Sequence, residues 1–344
     1  MKPASTIAMV VLGFMLIAGG SASAQLAING AGATFPYPLY TRWFNTYARV
    51  DSAVRFNYRA IGSGAGINEI LARSIDFGAS DAPLSDQQLA AAPGKILHFP
   101  TVLGADVITY NLPALEQKLR FTGPLIADIF LGKITNWNDS RIAEANPGVK
   151  LPDRPIVVCH RSDGSGTTYV FTDYLSKVSP DWKQKIGAGT SVTWPTGQGG
   201  EGNQGVIDLV KHRDGAIAYV ELAYTLSNKL PVALLRNHDG KWIEPNIRSI
   251  TSAAASAAAN MPSDFRVSIT DAAGAESYPV SSFTYLLVYQ QQSDAAKGKA
   301  LRELIQWALR DGQTFAPPLS YAPLPGTVIA AEENQIKTIE LPPQ

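Results

Sequence analysis

Three short turns in this sequence have the composition of anion sites: Ala33-Thr34-Phe35, Gly62-Ser63-Gly64 and Gly164-Ser165-Gly166-Thr167. Each is rich in small residues, carries a hydroxyl, and lies between a strand-like and a helix-like segment. Such a turn exposes the backbone N–H groups of the first helical turn, where the helix dipole adds partial positive charge. In open α/β sheets, ligands gather at the strand ends where these turns sit. Taken singly, each turn is equally well a tight connection that needs glycine for its backbone. Three together, each with a hydroxyl, point to an oxyanion. Arg161 precedes Ser165 in the third turn. Its planar guanidinium can hold two oxygens of a tetrahedral anion, and Asp163 is placed to hold that fork in turn.

Asp81 does not fit a site for a fully ionised anion, which a carboxylate repels. As a plain structural residue it is a helix cap or a turn ahead of Pro83. In a binding site it fits only a ligand that brings a proton to donate. Monohydrogen phosphate has one; sulfate at neutral pH has none. A fourth glycine-rich segment, Gly197-Gln198-Gly199-Gly200-Glu201-Gly202, matches G-x-G-x-x-G after the strand-like Val192 to Trp194. Glu221 follows about 20 residues later, in the order of a dinucleotide site. Pro195 interrupts the entry to that turn, and the segment sits late in its domain, which argues against a nucleotide. Neither G-x-S-x-G nor G-x-x-x-x-G-K-[ST] is present, so hydrolase-elbow and NTPase readings have no motif.

The elements that must position these residues alternate strand and helix. Leu26-Ala27-Ile28, Val54 to Tyr58, Ile75 to Ala79, Val102 to Tyr110, Ile156 to Cys159, Ala216 to Val220 and Val232 to Leu235 read as strands. Between them, Leu39, Trp43, Tyr47 and Val50 form one helical stripe, and Val170, Phe171, Tyr174 and Leu175 another. Repeated strand, small-residue turn and helix predicts an α/β fold with a largely parallel sheet. Phe283 to Tyr289 is an apolar strand with no partner nearby in sequence.

The chain has 344 residues, 45% of them hydrophobic and 17% charged, enough for two domains and too apolar for disorder. Lys+Arg and Asp+Glu both total 29, so no net field draws nucleic acid to the protein. Lys2, an apolar run from Ile7 to Ile17 and Ala22-Ser23-Ala24 have the order of a secretory signal peptide, predicting cleavage after Ala24. That run is too short to span a membrane, and no Cys near the cut offers lipid attachment. Cys159 is the only cysteine, which excludes a disulfide framework. Its place at the end of an apolar strand makes it a small core residue. The four histidines show no metal-ligand spacing, so neither a metal nor any cofactor is expected.

The motifs Gly30-Ala31-Gly32-Ala33-Thr34-Phe35-Pro36, Asp76-Phe77-Gly78-Ala79-Ser80-Asp81-Ala82-Pro83-Leu84-Ser85, Leu131-Gly132-Lys133-Ile134 and Asp163-Gly164-Ser165-Gly166-Thr167 occur in this order. They closely resemble the periplasmic phosphate-binding component of the Pst-type phosphate ABC transporter. The likeness runs on through Gly215-Ala216-Ile217-Ala218-Tyr219-Val220-Glu221.

The resemblance implies a two-lobe clamshell of the periplasmic-binding-protein type II class, each lobe a mixed, mostly parallel sheet flanked by helices, with a two-strand hinge. Residues 25–103 and 280–344 would form lobe 1 and residues 104–279 lobe 2, after a signal peptide over 1–24. It implies phosphate contacts from Thr34, Phe35, Ser63, Asp81, Arg161, Ser165, Gly166 and Thr167, with Asp163 behind Arg161. Asp81 would accept the ligand's proton. It also implies a non-enzymatic role as a monomer in the periplasm. The partners would be inorganic phosphate and the transmembrane permease subunits, with their ATPase subunit reached indirectly. The alternative is an exported phosphate-ester hydrolase using the same anion site. That reading lacks a general base, since no histidine falls in a motif.

Overall fold

The computed structural model describes residues 25–343. The signal-peptide reading of residues 1–24 lies outside the described residues. The strands are β1 (Leu26–Gly32), β2 (Val54–Ala60), β3 (Phe77–Ser80), β4 (Ile96–Tyr110), β5 (Arg120–Phe121), β6 (Val157–Arg161), β7 (Gln198–Gly200), β8 (Ala216–Glu221), β9 (Leu234–Arg236), β10 (Trp242–Ile243) and β11 (Ser281–Tyr289). Eight of them form one sheet in the order β2-β1-β3-β11-β4-β8-β6-β7, and β10-β9-β5 form a small second one.

The main sheet has two halves that meet on β4. Residues 96–105 of this strand pair with β11, and residues 106–110 pair with β8. All fifteen of its residues are buried. A strand covered on both faces is buried without alternation, and Ile96 to Tyr110 is, its polar His98, Thr101, Asp106 and Thr109 included. The apolar strand β11 finds its partners far away in sequence, lying antiparallel between β3 and β4. The pairings of β1 with β2 and β3, and of β6 with β7 and β8, are parallel. Those made by β4 and β11 are antiparallel, so the sheet is mixed, and its parallel parts are the ones that carry the turns.

Helices pack on these strands through apolar stripes. In Tyr37–Val50, Leu39, Tyr40, Trp43, Phe44 and Tyr47 are buried. Val50 falls on the same stripe by spacing but is 60% exposed, because the helix ends there beyond the edge of the core. One reading of local structure changes and one holds. Val192 to Trp194 is not a strand; the strand of this region is β7, which begins inside the glycine-rich segment itself. Cys159 is buried in β6, where burial pushes its thiol up to about 11, the behaviour of a core residue.

Candidate functional site

The Thr34–Phe35 turn follows β1, and its carbonyls are all engaged. The hydroxyls of Tyr58, Tyr224 and Tyr321 donate to the carbonyl oxygens of Ala33, Thr34 and Phe35 at 2.6, 2.7 and 2.6 Å. Three phenols from three separate elements thus fix the peptide planes. The N–H groups of Thr34 and Phe35 have no partner among the described residues. A peptide clamped by its oxygens presents its N–H groups in a preset direction, as an anion site requires.

The second turn opens the helix Ser63–Leu71. Gly62 has φ +89, and a Cβ there would stand 2.4 Å from Asp163 Oδ2 and 2.6 Å from the Gly164 carbonyl oxygen. The turn can therefore approach the third one only as glycine. Contact is direct: the Gly64 N–H donates to the Gly164 carbonyl at 2.8 Å. Ser63 is fully buried, and its Oγ accepts from the Asp81 N–H at 3.3 Å.

Asp81, just past β3, is 1% exposed. Thr284 on β11 donates its hydroxyl to Asp81 Oδ1 at 2.7 Å, while Oδ2 is buried without a partner. Burial pushes this carboxyl up to about 7, against the stabilising pull of Thr284, the Arg161 charge and Ser63. A Cβ on Gly166 would lie 2.4 Å from both Asp81 Oδ2 and Ser63 Oγ. The third turn thus presses on the second turn and on Asp81 from the other half of the sheet.

Arg161 ends β6 and is 3% exposed. Nε donates to Asp163 Oδ1 at 2.7 Å, Nη2 is paired with Oδ2, and Nη1 donates to Thr167 Oγ1 at 3.2 Å. Burial disfavours the charge on Asp163. The Arg161 hydrogen bonds and charge, with the Gly202 N–H at 3.0 Å, outweigh it and hold the carboxyl below the usual range. Ser165 caps the helix Gly166–Val178, its Oγ accepting from the Thr168 N–H. Its own N–H is taken by the Thr190 carbonyl, so only its hydroxyl proton is free for a ligand. The N–H groups of Gly166 and Thr167 have no partner among the described residues.

All nine residues singled out from the sequence, Asp163 included, are thus brought to one place. Sequence reasoning missed the tyrosines, Thr284 and Asn203. The last directly follows the glycine-rich segment that mimicked a dinucleotide motif. Its Nδ2 donates to Thr34 Oγ1 at 2.9 Å and Thr167 Oγ1 at 3.4 Å, and its Oδ1 accepts from the Glu221 N–H at 3.1 Å. Asn203, together with the Gly202 N–H on Asp163, therefore braces the anion turns. An asparagine beside glycines was the available signal, but nothing local said what it would reach.

The hydroxyls now fall into a pattern. Thr34, Ser63, Ser165 and Thr167 each accept a hydrogen bond from the protein. A hydroxyl that accepts still has its own hydrogen to give. Four O–H groups, four N–H groups and a guanidinium surround a single carboxylate oxygen, Asp81 Oδ2, that has nothing to accept from. The set matches a tetrahedral oxyanion bearing one proton.

Two further acids lie at the junction of the sheet halves. Asp106 and Glu221 are directly opposed on β4 and β8, both buried, with three of their four carboxylate oxygens unpartnered. Burial, reinforced by the nearby Asp81 and Glu221, pushes Asp106 well above the usual carboxylate range. The folded protein keeps this proton when the unfolded chain has lost it above about pH 4. Stability therefore falls as pH rises from there toward the raised folded value, by about 1.4 kcal/mol per pH unit. Asp106→Asn is expected to match the parent at pH 4 and to be increasingly the more stable protein toward pH 8. Thermal unfolding across that range checks it; a difference independent of pH would contradict it.

The family model for the PBP superfamily domain matches residues 19–311. The phosphate-binding protein PstS of Xylella fastidiosa (strain 9a5c) is 47% identical over 306 residues, covering 89% of this chain and 83% of that protein. PstS of Pasteurella multocida (strain Pm70) is 44% identical, covering 90% of each. Among solved structures, the phosphate-binding protein of Stenotrophomonas maltophilia aligns with a TM-score of 0.70 at 19% identity, over 90% of this chain and 93% of that one. A high affinity periplasmic phosphate-binding protein solved with phosphate gives 0.70 at 21%, over the same shares. These structures are similar in fold. On the family match and the sequence identities together, the chain belongs to the PBP superfamily and, within it, to the PstS family of phosphate-binding proteins.

Proposed function

We propose that this protein captures inorganic phosphate between two lobes and delivers it to the transmembrane permease subunits of an ABC importer, acting as a receptor and not as an enzyme. The observation that carries the reading is the cage of donors around one lone acceptor, the buried and unpartnered Asp81 Oδ2. Monohydrogen phosphate satisfies it: three oxygens accept from the donors and the fourth carries the proton that Asp81 takes. Thr34, Phe35, Ser63, Asp81, Arg161, Ser165, Gly166 and Thr167 are the contacts, and Asp163 holds the Arg161 fork. Lobe 1 comprises residues 25–103 and 280–344, and lobe 2 residues 104–279. The change of partner along β4 between residues 105 and 106 supports a hinge there. Lobe closure would be driven by ligand contacts on both sides, and the closed form is what the permease would recognise. Export to the periplasm with cleavage after Ala24, and action as a monomer that meets the ATPase subunit only through the permease, complete the reading.

Hydrolysis finds no support in the geometry. Ser165 Oγ is used as a helix cap, and no histidine or carboxylate bonds it among the described residues. His98 is a core residue whose Nε2 accepts from the Leu84 N–H, held neutral by burial, with its pKa lowered to about 4. His160 lies flat on Trp194. Equilibrium dialysis of the anion-stripped protein with labelled phosphate tests the proposal, alongside an assay with p-nitrophenyl phosphate. One phosphate retained per chain without turnover is expected. Steady product release abolished by Ser165→Ala would overturn it.

A further inference from the structure

We infer that Thr284 is a specificity-determining positioning residue: its hydroxyl holds Asp81 as a proton acceptor and so makes the site choose a protonated oxyanion over an unprotonated one. The inference rests on the phosphate-receptor reading above and assigns the choice of anion to a residue outside the three turns.

A lone buried carboxyl can meet an anion in two ways. Ionised, it accepts a proton from the ligand and repels an anion that has none. Protonated, it becomes a donor, and a fully ionised tetrahedral dianion then fits as well. Selectivity therefore needs something that keeps Asp81 ionised in spite of its burial.

The surroundings leave few candidates. Of the ionisable groups, Arg161 from β6 acts on Asp81, whose own charge is felt in turn by Asp106 from β4, Glu221 from β8 and the phenols of Tyr40, Tyr58, Tyr224 and Tyr321. Arg161 is the one cation of this set, and its fork is largely committed to Asp163. The strongest opposition to burial comes instead from Thr284. Its hydroxyl donates at 2.7 Å to Oδ1 and leaves Oδ2 facing Gly166 and Ser63. A donor on one oxygen both favours the ionised form and settles which oxygen remains for the ligand.

The fold takes trouble to aim this side chain. The pairing of β11 with β4 shifts register between Thr284 and Tyr285, opposite Pro100 to Val102. Such an irregularity re-aims a side chain next to a site. The backbone there is tied down as well. Thr101 Oγ1 donates to the Thr284 carbonyl at 3.1 Å and is itself hydrogen-bonded to the Tyr40 hydroxyl at 2.9 Å. Thr284 is fully buried, so no water competes for its hydroxyl.

The test compares Thr284→Val, Thr284→Ala and Thr284→Ser with the parent by calorimetric titration of phosphate and of sulfate from pH 5.5 to 8.5. Val keeps the shape and Ala removes bulk, so a packing defect in one is checked by the other. Both are expected to lose the phosphate preference by roughly 10- to 100-fold, the scale of one hydrogen bond to a charged group. Their sulfate binding should also appear at a higher pH than in the parent. Ser should restore the parental ratio and profile. If Val and Ala weaken both anions alike and leave the pH profile in place, Thr284 is only structural and the inference fails. If the parent itself binds no phosphate, the receptor reading fails, a separate result.

Discussion

Asp81→Asn is expected to erase the preference for phosphate over sulfate while leaving phosphate binding largely intact. The asparagine carbonyl can still accept the proton of monohydrogen phosphate. Its amide NH2 offers what the carboxylate cannot, a donor for an unprotonated oxygen. In the parent, sulfate would set a dianion against an ionised carboxylate at contact distance. That repulsion amounts to several kcal/mol even at an effective dielectric of about 20. Sites that pair a buried polar group with a ligand hydroxyl discriminate by about 10⁴ to 10⁵. We expect the substitution to reduce that ratio to within about tenfold, chiefly by raising sulfate affinity. Parallel titrations with the two anions at pH 8.5, where Asp81 is ionised in the parent, measure it. Arsenate, with the same protons and nearly the same shape as phosphate, should be affected as phosphate is. A variant that still rejects sulfate would mean that Asp81 is not what reads the proton.

Arg161 carries the second large effect. Its guanidinium is the buried positive charge of the cage, and it also pairs with Asp163 through two nitrogens and reaches Thr167 through the third. Arg161→Met leaves Asp163 without its cation and removes the positive charge of the cage, so that the ligand keeps only neutral donors beside Asp81 and Asp163. Truncating one partner of a buried charge pair typically costs 2–5 kcal/mol, a factor of about 30 to 5,000 in affinity. Phosphate affinity is expected to fall by roughly a thousandfold. Lys should rescue little, because an ammonium cannot reproduce the planar fork that Asp163 holds. Asp163→Asn should bring a smaller loss, since the cation stays and only its orientation is loosened. Calorimetry on the three variants, each checked for thermal unfolding, gives the ranking. A Lys variant equal to the parent would show that charge alone suffices and that the fork geometry does not matter.

What could be read in the sequence was what is local. A strand, a small-residue turn and a helix are contiguous, so the donor turns around Thr34, Ser63 and Ser165 are visible as motifs, and Arg161 lies within reach of Asp163 along the chain. The out-of-place Asp81 was legible by its chemistry alone. What escaped depends on the return of β11 and on residues that meet only after folding. Thr284 is 203 positions from Asp81. Tyr321 reaches back 286 positions to the Phe35 carbonyl, and Asn203 spans 169 to Thr34. A buried tyrosine is also ordinary core material in a sequence, and only the carbonyl it meets shows that it is clamping a binding turn. The glycine-rich segment misled for a related reason. Its glycines permit close packing, of β7 on β6 and of Gly202 on Asp163, and close packing has the same composition as a phosphate loop. Asp106 falls within a segment read as a strand and Glu221 fits the acid of a dinucleotide order, and their facing burial follows only from the register of β4 on β8.

The central claim is that the cleft binds a tetrahedral oxyanion by accepting a proton from it. Calorimetric titration of the anion-stripped protein at pH 8.5, above the raised value of Asp81, with phosphate and then with sulfate on the same preparation, tests this most directly. Tight binding of one phosphate per chain and no heat from sulfate is the predicted result. Equal binding of the two anions would contradict it, since no role would remain for Asp81 as the reader of a proton.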